Sequence, residues 1–257
     1  MSLSKAPLVS VVIPNYNGSN YIFETIQSVI NQTYKNWELI IVDDCSTDDS
    51  LKIINGIHDP RVSVVKLQEN KGAAVARNTA IEISKGRLIA FLDNDDLWIS
   101  NKLEKQVGFM LENDLMFTYT DYYKLSEKGK FHIKCIKKVT YNDLLKNNYI
   151  LTSTVIYNAD VLGKIYMENI RKRQDWSLFI NVIKESKIAI GLSIPLTLYR
   201  KHANSLSAKK TDLVRYNFDF YHKVLGYPKV KSLLLMAQFM VYYFLKKTKE
   251  RFGLYHR

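Results

Sequence analysis

Four short apolar runs, Leu8–Ile13, Trp37–Val42, Val62–Leu67 and Leu88–Leu92, recur through the first hundred residues, each followed at once by polar residues. They are rich in β-branched side chains and bounded by polar turns, so they read as strands. Near-continuous apolar sequence suits parallel strands covered on both faces. Between them lie helical patterns at about Asn20–Asn31, Thr47–Gly56 and Ala73–Ser84. Such alternation implies βαβ units with right-handed crossovers, hence an α/β fold on a mostly parallel sheet flanked by helices. Ser46-Thr47-Asp48 is expected to cap the second helix, and Gly86 to stop the third.

A further helix is expected over Asn101–Glu112, leading into a strand at Leu115–Thr120. From about residue 121 the pattern changes to short, partly exposed strands with a turn at Glu127–Lys130. Helices follow at 141–147, 174–186, 210–225 and 229–250. No linker or internal repeat divides the chain, so one continuous fold with a C-terminal helical extension is expected. Its parts are 1–120, 121–208 and a basic extension, 209–257.

In an open parallel sheet, ligands bind beyond the carboxyl ends of the strands. The first strand meets Pro14-Asn15-Tyr16-Asn17 and the second Asp43-Asp44; the third meets Asn70-Lys71-Gly72 and the fourth Asp93-Asn94-Asp95-Asp96. Any one of these is an ordinary polar turn or helix cap. Four on one rim would line a single cleft. Two carboxylates spaced i, i+2 can share a hard cation, Mn²⁺ or Mg²⁺, that bridges to phosphate. Tyr16 offers a ring face to a base and Asp44 an acceptor for a base N–H or ribose hydroxyl, while Lys71 and Arg77 suit phosphates or sugar hydroxyls.

Together these tracts resemble the family 2 glycosyltransferases, which have the GT-A (Rossmann-like) fold and transfer sugars with inversion. The matching stretches are VSVVIPNYN (9–17), SVINQTY (28–34), ELIIVDDCSTDDS (38–50), NKGAAVARNTAI (70–81), GRLIAFLDNDDLW (86–98) and NKLEKQ (101–106). They cover about the first 110 residues in the family's order. The resemblance implies that Pro14, Tyr16, Asn17 and Asp44 hold the nucleobase and ribose, most often of uridine. It puts Lys71, Gly72, Asn78 and Asn94 along the nucleotide-sugar. Asp95 and Asp93 become metal ligands, Asp93 also facing the ribose and Asp96 only capping the turn into Leu97-Trp98. Arg77 fits either the motif or a structural salt bridge.

The second half matches more loosely. Family members carry an acidic pair beside Trp or Tyr at the start of an acceptor-side helix. Here the place is taken by Gln174-Asp175-Trp176, which makes Asp175 the catalytic base, with a helix N-cap as the plain alternative. The family's upstream Gly-Gly-Phe-Asp segment is absent. Tyr199-Arg200-Lys201-His202 resembles a loop in which His202 completes the metal shell or touches the diphosphate. The resemblance implies transfer of a sugar from a nucleotide-diphospho donor, UDP-linked, to a glycan or polyprenyl-linked acceptor in bacterial surface polysaccharide synthesis. The rival from another class is a sugar-nucleotide-binding protein without activity, which would have no use for a base at Asp175.

Residues 126–257 hold 25 of the 37 basic residues and 9 of the 25 acidic ones, so the net charge of +12 comes from the second half. No nucleic-acid-binding module accompanies that charge, so nucleic acid is not an expected partner. Leu233–Leu245 is apolar almost all round and precedes Lys246-Lys247-Thr248-Lys249. It is short of the roughly 18 residues of a spanning helix. The segment 229–251 therefore packs on the core, pairs with a second copy, or lies on an anionic membrane surface. The first residues lack the apolar core of a secretory signal, which points to a cytoplasmic protein, with the inner membrane face as the one alternative site. Cys45 and Cys135 are expected as reduced thiols.

Overall fold

The structure is a computed structural model that describes residues 6–127, 129–201 and 213–251. The four apolar runs form β1 (Val9–Asn15), β2 (Trp37–Asp43), β3 (Val62–Lys66) and β4 (Leu88–Phe91), mutually parallel in the order β3-β2-β1-β4. Helices α1 (Ile22–Ile30), α2 (Ser50–Asn55) and α3 (Ala73–Ile83) connect them. Then come β5 (Leu97–Trp98), α4 (Lys102–Glu112), β6 (Phe117–Ser126), β7 (Gly129–Ile133), β8 (Lys138–Thr140) and α5 (Tyr141–Lys146). The chain continues through β9 (Ile156–Asn158), α6 (Ala159–Leu162), α7 (Gln174–Ser186), β10 (Ile188–Arg200), α8 (Leu213–Asp219) and α9 (Lys229–Arg251).

Strand alternation explains why the runs are apolar throughout. Val9, Val11 and Ile13 of β1, with Leu39, Ile41, Leu88 and Ala90, pack under α1, α2 and α4. Val12, Ile40, Val42, Ile89 and Phe91 face the other way, against α3, α7 and Phe239 of α9. Both faces are covered, so no strand position can be polar without a buried partner. Ser10 meets this requirement by donating to Glu38 at 2.6 Å.

Beyond β4 the sheet order is β9-β6-β10-β5. The short β9 runs antiparallel to both β4 and β6, and β10 runs parallel to β6. Thus β1 to β4, β6 and β10 all point one way and end on one edge. Neither β5, β9 nor β10 was evident in the residue pattern. In β10, Gly191 and Pro195 break the apolar alternation, and the register with β6 shifts on either side of Pro195. Proline removes a ladder donor, and bulges are where strands tolerate it.

Two local expectations are corrected. Helix α2 begins at Ser50, so Ser46 and Thr47 do not cap it and instead bind the loop after β1. Gly86 does not end α3, whose cap is Ser84 in extended conformation. Gly86 is required by packing: a Cβ there would lie 2.6 Å from the Ser10 amide nitrogen and 2.8 Å from the Leu8 carbonyl oxygen.

The C-terminal helices belong to the main core through one side only. Phe239 and Ser232 of α9 are buried, and Leu235, Met236, Met240 and Tyr243 pack beside them. Val230, Leu233, Leu234, Val241 and Phe244 are exposed on the opposite side. The expected helix at 210–225 is α8 followed by a π-helical turn, Phe220–Val224; residues 210–212 lie outside the described residues.

Gly86→Ala should destabilise the fold by about 1–3 kcal/mol, because the neighbours it meets are backbone atoms with little freedom to yield. A urea melt with an unchanged midpoint would refute that account.

Candidate active site

The four polar groups at the strand ends form one hydrogen-bonded rim. Asn15, the last residue of β1, donates to Asp43 at 2.7 Å and accepts from the Asn94 amide at 2.9 Å. Its carbonyl accepts from the Asp44 N–H at 2.7 Å. Ser46 returns to Asp43 through both its amide and its hydroxyl, at 2.9 and 2.6 Å. Asn17, at φ 49°, accepts from the Thr47 N–H at 2.8 Å, which fastens the first loop to the second. The Asp44 carboxylate accepts from the amides of Lys71 and Gly72, both at 2.7 Å. Gly72 has φ +91°, a left-handed value at which glycine carries no side-chain clash, and α3 starts from it.

The acidic tract closes this rim from the fourth side. The Asp93 amide donates to Ser153 Oγ at 3.1 Å, and the Asp93 carboxylate pairs with Arg77. The Asp96 carboxyl is fully buried; it accepts from the Ser153 hydroxyl and from the Arg200 N–H, the latter at 3.0 Å. Asp96 is therefore no mere turn cap, because its side chain joins the tract to the 3-10 turn Thr152–Thr154 and to the end of β10. Its pKa stands well above the usual carboxylate range, through burial and then the charges of Asp93 and Asp95. Asp95 is pushed up to about 6, first by burial and then by Asp93, against the opposing pull of Arg200 and Arg77. A carboxylate held this way gains from any cation brought beside it. That hard-oxygen chemistry fits Mg²⁺ or Mn²⁺, although no cluster of three ligating side chains forms among the described residues.

Asp175 lies in the first turn of α7 and accepts from the Asn148 amide at 2.8 Å. Burial raises its pKa; the Trp176 amide and the Arg173 and Arg77 cations oppose this, and Asp93 adds to the rise. Arg77 thus acts on Asp93, Asp95 and Asp175 together. Two guanidinium donors at the tract, Arg77 Nε and Arg200 Nη1, are buried without a hydrogen-bond partner among the described residues. Each guanidinium already pairs with one carboxylate, Arg77 with Asp93 and Arg200 with Glu24, and a buried donor left over is costly unless a further acceptor meets it.

The remaining candidates are more dispersed. Tyr16 is half exposed at the rim, and Pro14 is buried within β1, opposite Val42. The Lys71 ammonium pairs with Glu69 at 3.3 Å in solvent. The Asn78 side chain both donates to and accepts from the Met167 backbone at 2.8 Å, tying α3 to the loop before α7. His202 lies outside the described residues. Ser153 and Asn148 were not singled out by residue pattern, and Asp96 was read only as a turn cap. A serine or asparagine in a polar loop carries no periodicity that marks it.

Beneath the tract, Trp98 donates to the Ser153 carbonyl at 2.8 Å. Its ring is covered by the Lys102 ammonium, 4.1 Å from the centroid. Lys102 is fully buried and donates to Gln106 at 2.8 Å; burial drives its pKa well down.

Six co-directional strands, one reversed strand between them and an acidic tract at the sheet edge are the features of a GT-A glycosyltransferase. The chain's residues 10–169 match the model of glycosyl transferase family 2. It is 42% identical over 224 residues to a putative teichuronic acid biosynthesis glycosyltransferase of Bacillus subtilis, covering 85% of this chain and 88% of that one. It is 35% identical over 238 residues to an Escherichia coli UDP-Glc:α-D-GlcNAc-diphosphoundecaprenol β-1,3-glucosyltransferase, covering 91% and 93%. The fold superposes with a TM-score of 0.71 on S. aureus TarS in complex with UDP-GlcNAc, at 22% identity over 90% of this chain and 71% of TarS. A Pyrobaculum calidifontis mannosyltransferase in complex with GDP-Man and Mn²⁺ gives 0.67 at 18% identity, over 92% and 70%. The chain belongs to glycosyl transferase family 2 and is a glycosyltransferase.

Lys102 gives a pH test. Its folded pKa is depressed, so the stability linked to it is present at high pH and is lost as pH falls from its unfolded value near 10.5 toward the folded one. Lys102→Met should therefore gain stability relative to the native protein as pH is lowered from about 10 to 7. A constant melting-temperature difference across that range would contradict the assignment.

Proposed function

We propose that this glycosyltransferase is metal-dependent and moves a hexose, with inversion, from a UDP-sugar to a hydroxyl of a sugar carried on a polyprenyl diphosphate. The observation that carries the reading is the Arg77–Asp93 ion pair at the acidic tract, whose positive charge also acts on Asp95 and Asp175. The activity of the E. coli relative supports the donor and acceptor classes. Residues 1–120 would serve the donor, 121–208 the acceptor, and 209–257 would form the basic extension.

In this reading Pro14, Tyr16, Asn17 and Asp44 hold the uridine, with Lys71, Gly72 and Asn94 along the donor. Since Asp44 already receives two backbone amides, only its remaining lone pairs can meet the nucleoside. Asn78 would act indirectly, by holding the Met167 loop. Asp95, with Asp93 and His202, would hold Mn²⁺ or Mg²⁺. When bound, that cation neutralises charge on the departing diphosphate. The unpaired donors of Arg77 and Arg200 suit the same phosphates.

Asp175 takes the acceptor's proton as that oxygen attacks the anomeric carbon; the bond from that carbon to the β-phosphate oxygen breaks, and UDP leaves. A positioned base of this kind contributes roughly 10²–10⁴-fold. Asp175→Asn should lower kcat by about that factor while leaving UDP affinity intact. Asp95→Ala should abolish the metal-dependent part of UDP affinity. Isothermal titration with and without Mn²⁺, beside a UDP-release assay, reads both. Full turnover by Asp175→Asn removes the base assignment, and unaltered Mn²⁺-dependent affinity in Asp95→Ala removes the metal assignment.

A polyprenyl acceptor also accounts for α9. Its exposed Val230, Leu233, Leu234, Val241 and Phe244 lie between Lys229 and Lys231 at one end and Lys246, Lys247 and Lys249 at the other. No described helix is long and apolar enough to cross a membrane. An apolar strip with basic flanks suits the headgroup region of an anionic bilayer instead, at the cytoplasmic face. Leu234→Glu with Val241→Glu spares the buried side of α9. This variant should lose flotation with phosphatidylglycerol vesicles and keep its melting temperature; undiminished flotation would exclude the surface.

A further inference from the structure

The segment joining the acceptor-side loop to α7 contains a backbone outlier. Arg173, two residues before Asp175, sits at φ 72° and ψ 19°, the left-handed region that side chains with a Cβ avoid. Such a conformation persists only where surroundings over-determine it, and it is common beside functional groups. The Arg173 carbonyl accepts the Ser177 N–H at 2.9 Å, which starts the helix. Its side chain turns the other way, into the C-terminal helices. Nε donates to Asn217 Oδ1 of α8 at 2.9 Å. The guanidinium carbon lies 5.4 Å from the ring centroids of both Trp176 and Phe239.

These partners are themselves held. Asn217 is fully buried. Trp176 is fully buried, stacks on Phe220 at 4.6 Å and donates to the Leu144 carbonyl at 2.7 Å. Phe239 lies 5.7 Å from Trp176. The residue after Asp175 is thus packed against α9, and the residue two before it is bonded to α8. The same end of α7 also receives the Asn148 amide on the Asp175 carboxylate at 2.8 Å and the Glu168 N–H on Ser177 Oγ at 3.1 Å, but neither bond reaches the C-terminal helices. Gln174 makes only one long bond, at 3.5 Å, to the Arg171 carbonyl.

We propose that Arg173 is a positioning residue for Asp175, and that through it α8 and α9 are part of the catalytic apparatus rather than an appendage. Arg173 touches no reacting atom. It sets the direction in which the first turn of α7 presents the Asp175 carboxylate, and it does so only while Asn217 and Phe239 are docked. The inference rests on the reading of Asp175 as the base. Arg173 also supplies a positive charge beside Asp175, as Arg77 does from α3, with Asp93 opposing from the acidic tract. An apolar replacement removes charge and clamp together, and a lysine restores only the charge. The Nε–Asn217 bond separates the two effects.

The test measures UDP release from a UDP-sugar with acceptor, UDP affinity and melting temperature for four variants: Arg173→Met, Arg173→Lys, Asn217→Leu and Asp175→Asn. A misplacement of about 1 Å can cost on the order of 10²-fold in rate. The expected result is a kcat loss of that order in Arg173→Met and Asn217→Leu, with donor KM and UDP affinity unchanged and both proteins folded at the assay temperature. Arg173→Lys should recover little, because lysine has no Nε–H part-way along its side chain to donate to Asn217. Near-native kcat in Asn217→Leu, or full recovery in Arg173→Lys, overturns the clamp. If a variant fails to melt cooperatively, the other one carries the same comparison. An active Asp175→Asn would instead remove the base reading itself, and a dead Asp175→Asn beside a full-rate Arg173→Met removes only the positioning role.

Discussion

A carboxyl group with no access to water holds the acidic tract in place. Asp96 accepts from the Ser153 hydroxyl and from the Arg200 backbone, so three segments far apart in sequence converge on one side chain. Burying it is expensive, and the cost is offset only because its neighbours satisfy it and its pKa rises. With Asp96 inside, Asp93 and Asp95 remain partly exposed on the same turn. Thr25 of α1 secures the same turn by donating to the carbonyls of Asn94 and Asp96, at 3.0 and 2.9 Å. The tract's geometry is thus set by Thr25, Ser153 and the Arg200 backbone.

Around that anchor the cleft is assembled from strand ends. Parallel strands covered on both faces place their carboxyl ends along one edge, and the loops there are free to be polar. The hydrogen bonds among Asn15, Asp43, Asp44 and the Lys71–Gly72 amides turn these loops into one rigid rim. Rigidity matters because donors aimed at developing charge are effective only if they need not reorganise. Arg77 pairs with Asp93 and lies within electrostatic reach of Asp95 and Asp175.

The C-terminal helices have two unlike faces. The inner side of α9 joins the aromatic cluster of Trp176, Phe220 and Phe239 beside Asp175. The outer side leaves a strip of apolar side chains in solvent. A helix apolar all round has to be covered on both sides. Here the core covers only one.

The residues alone determined the fold of the first half. Runs that are apolar at every position force two-sided burial, and the order of polar tracts after them specifies which loops share an edge. Asp93 to Asp96 and their neighbours were therefore legible, as was the family they resemble. The tertiary structure decided what depends on contacts between distant segments. Strand β10 was hidden by Gly191 and Pro195, whose tolerance comes from a bulge seen only in the register with β6. Ser153 and Asn148 look like any loop residue until Asp96 and Asp175 are brought against them. The resemblance divided the acidic tract but left Asp96 only a turn cap; packing instead sends its carboxyl inward, fully buried, and leaves Asp93 and Asp95 partly exposed.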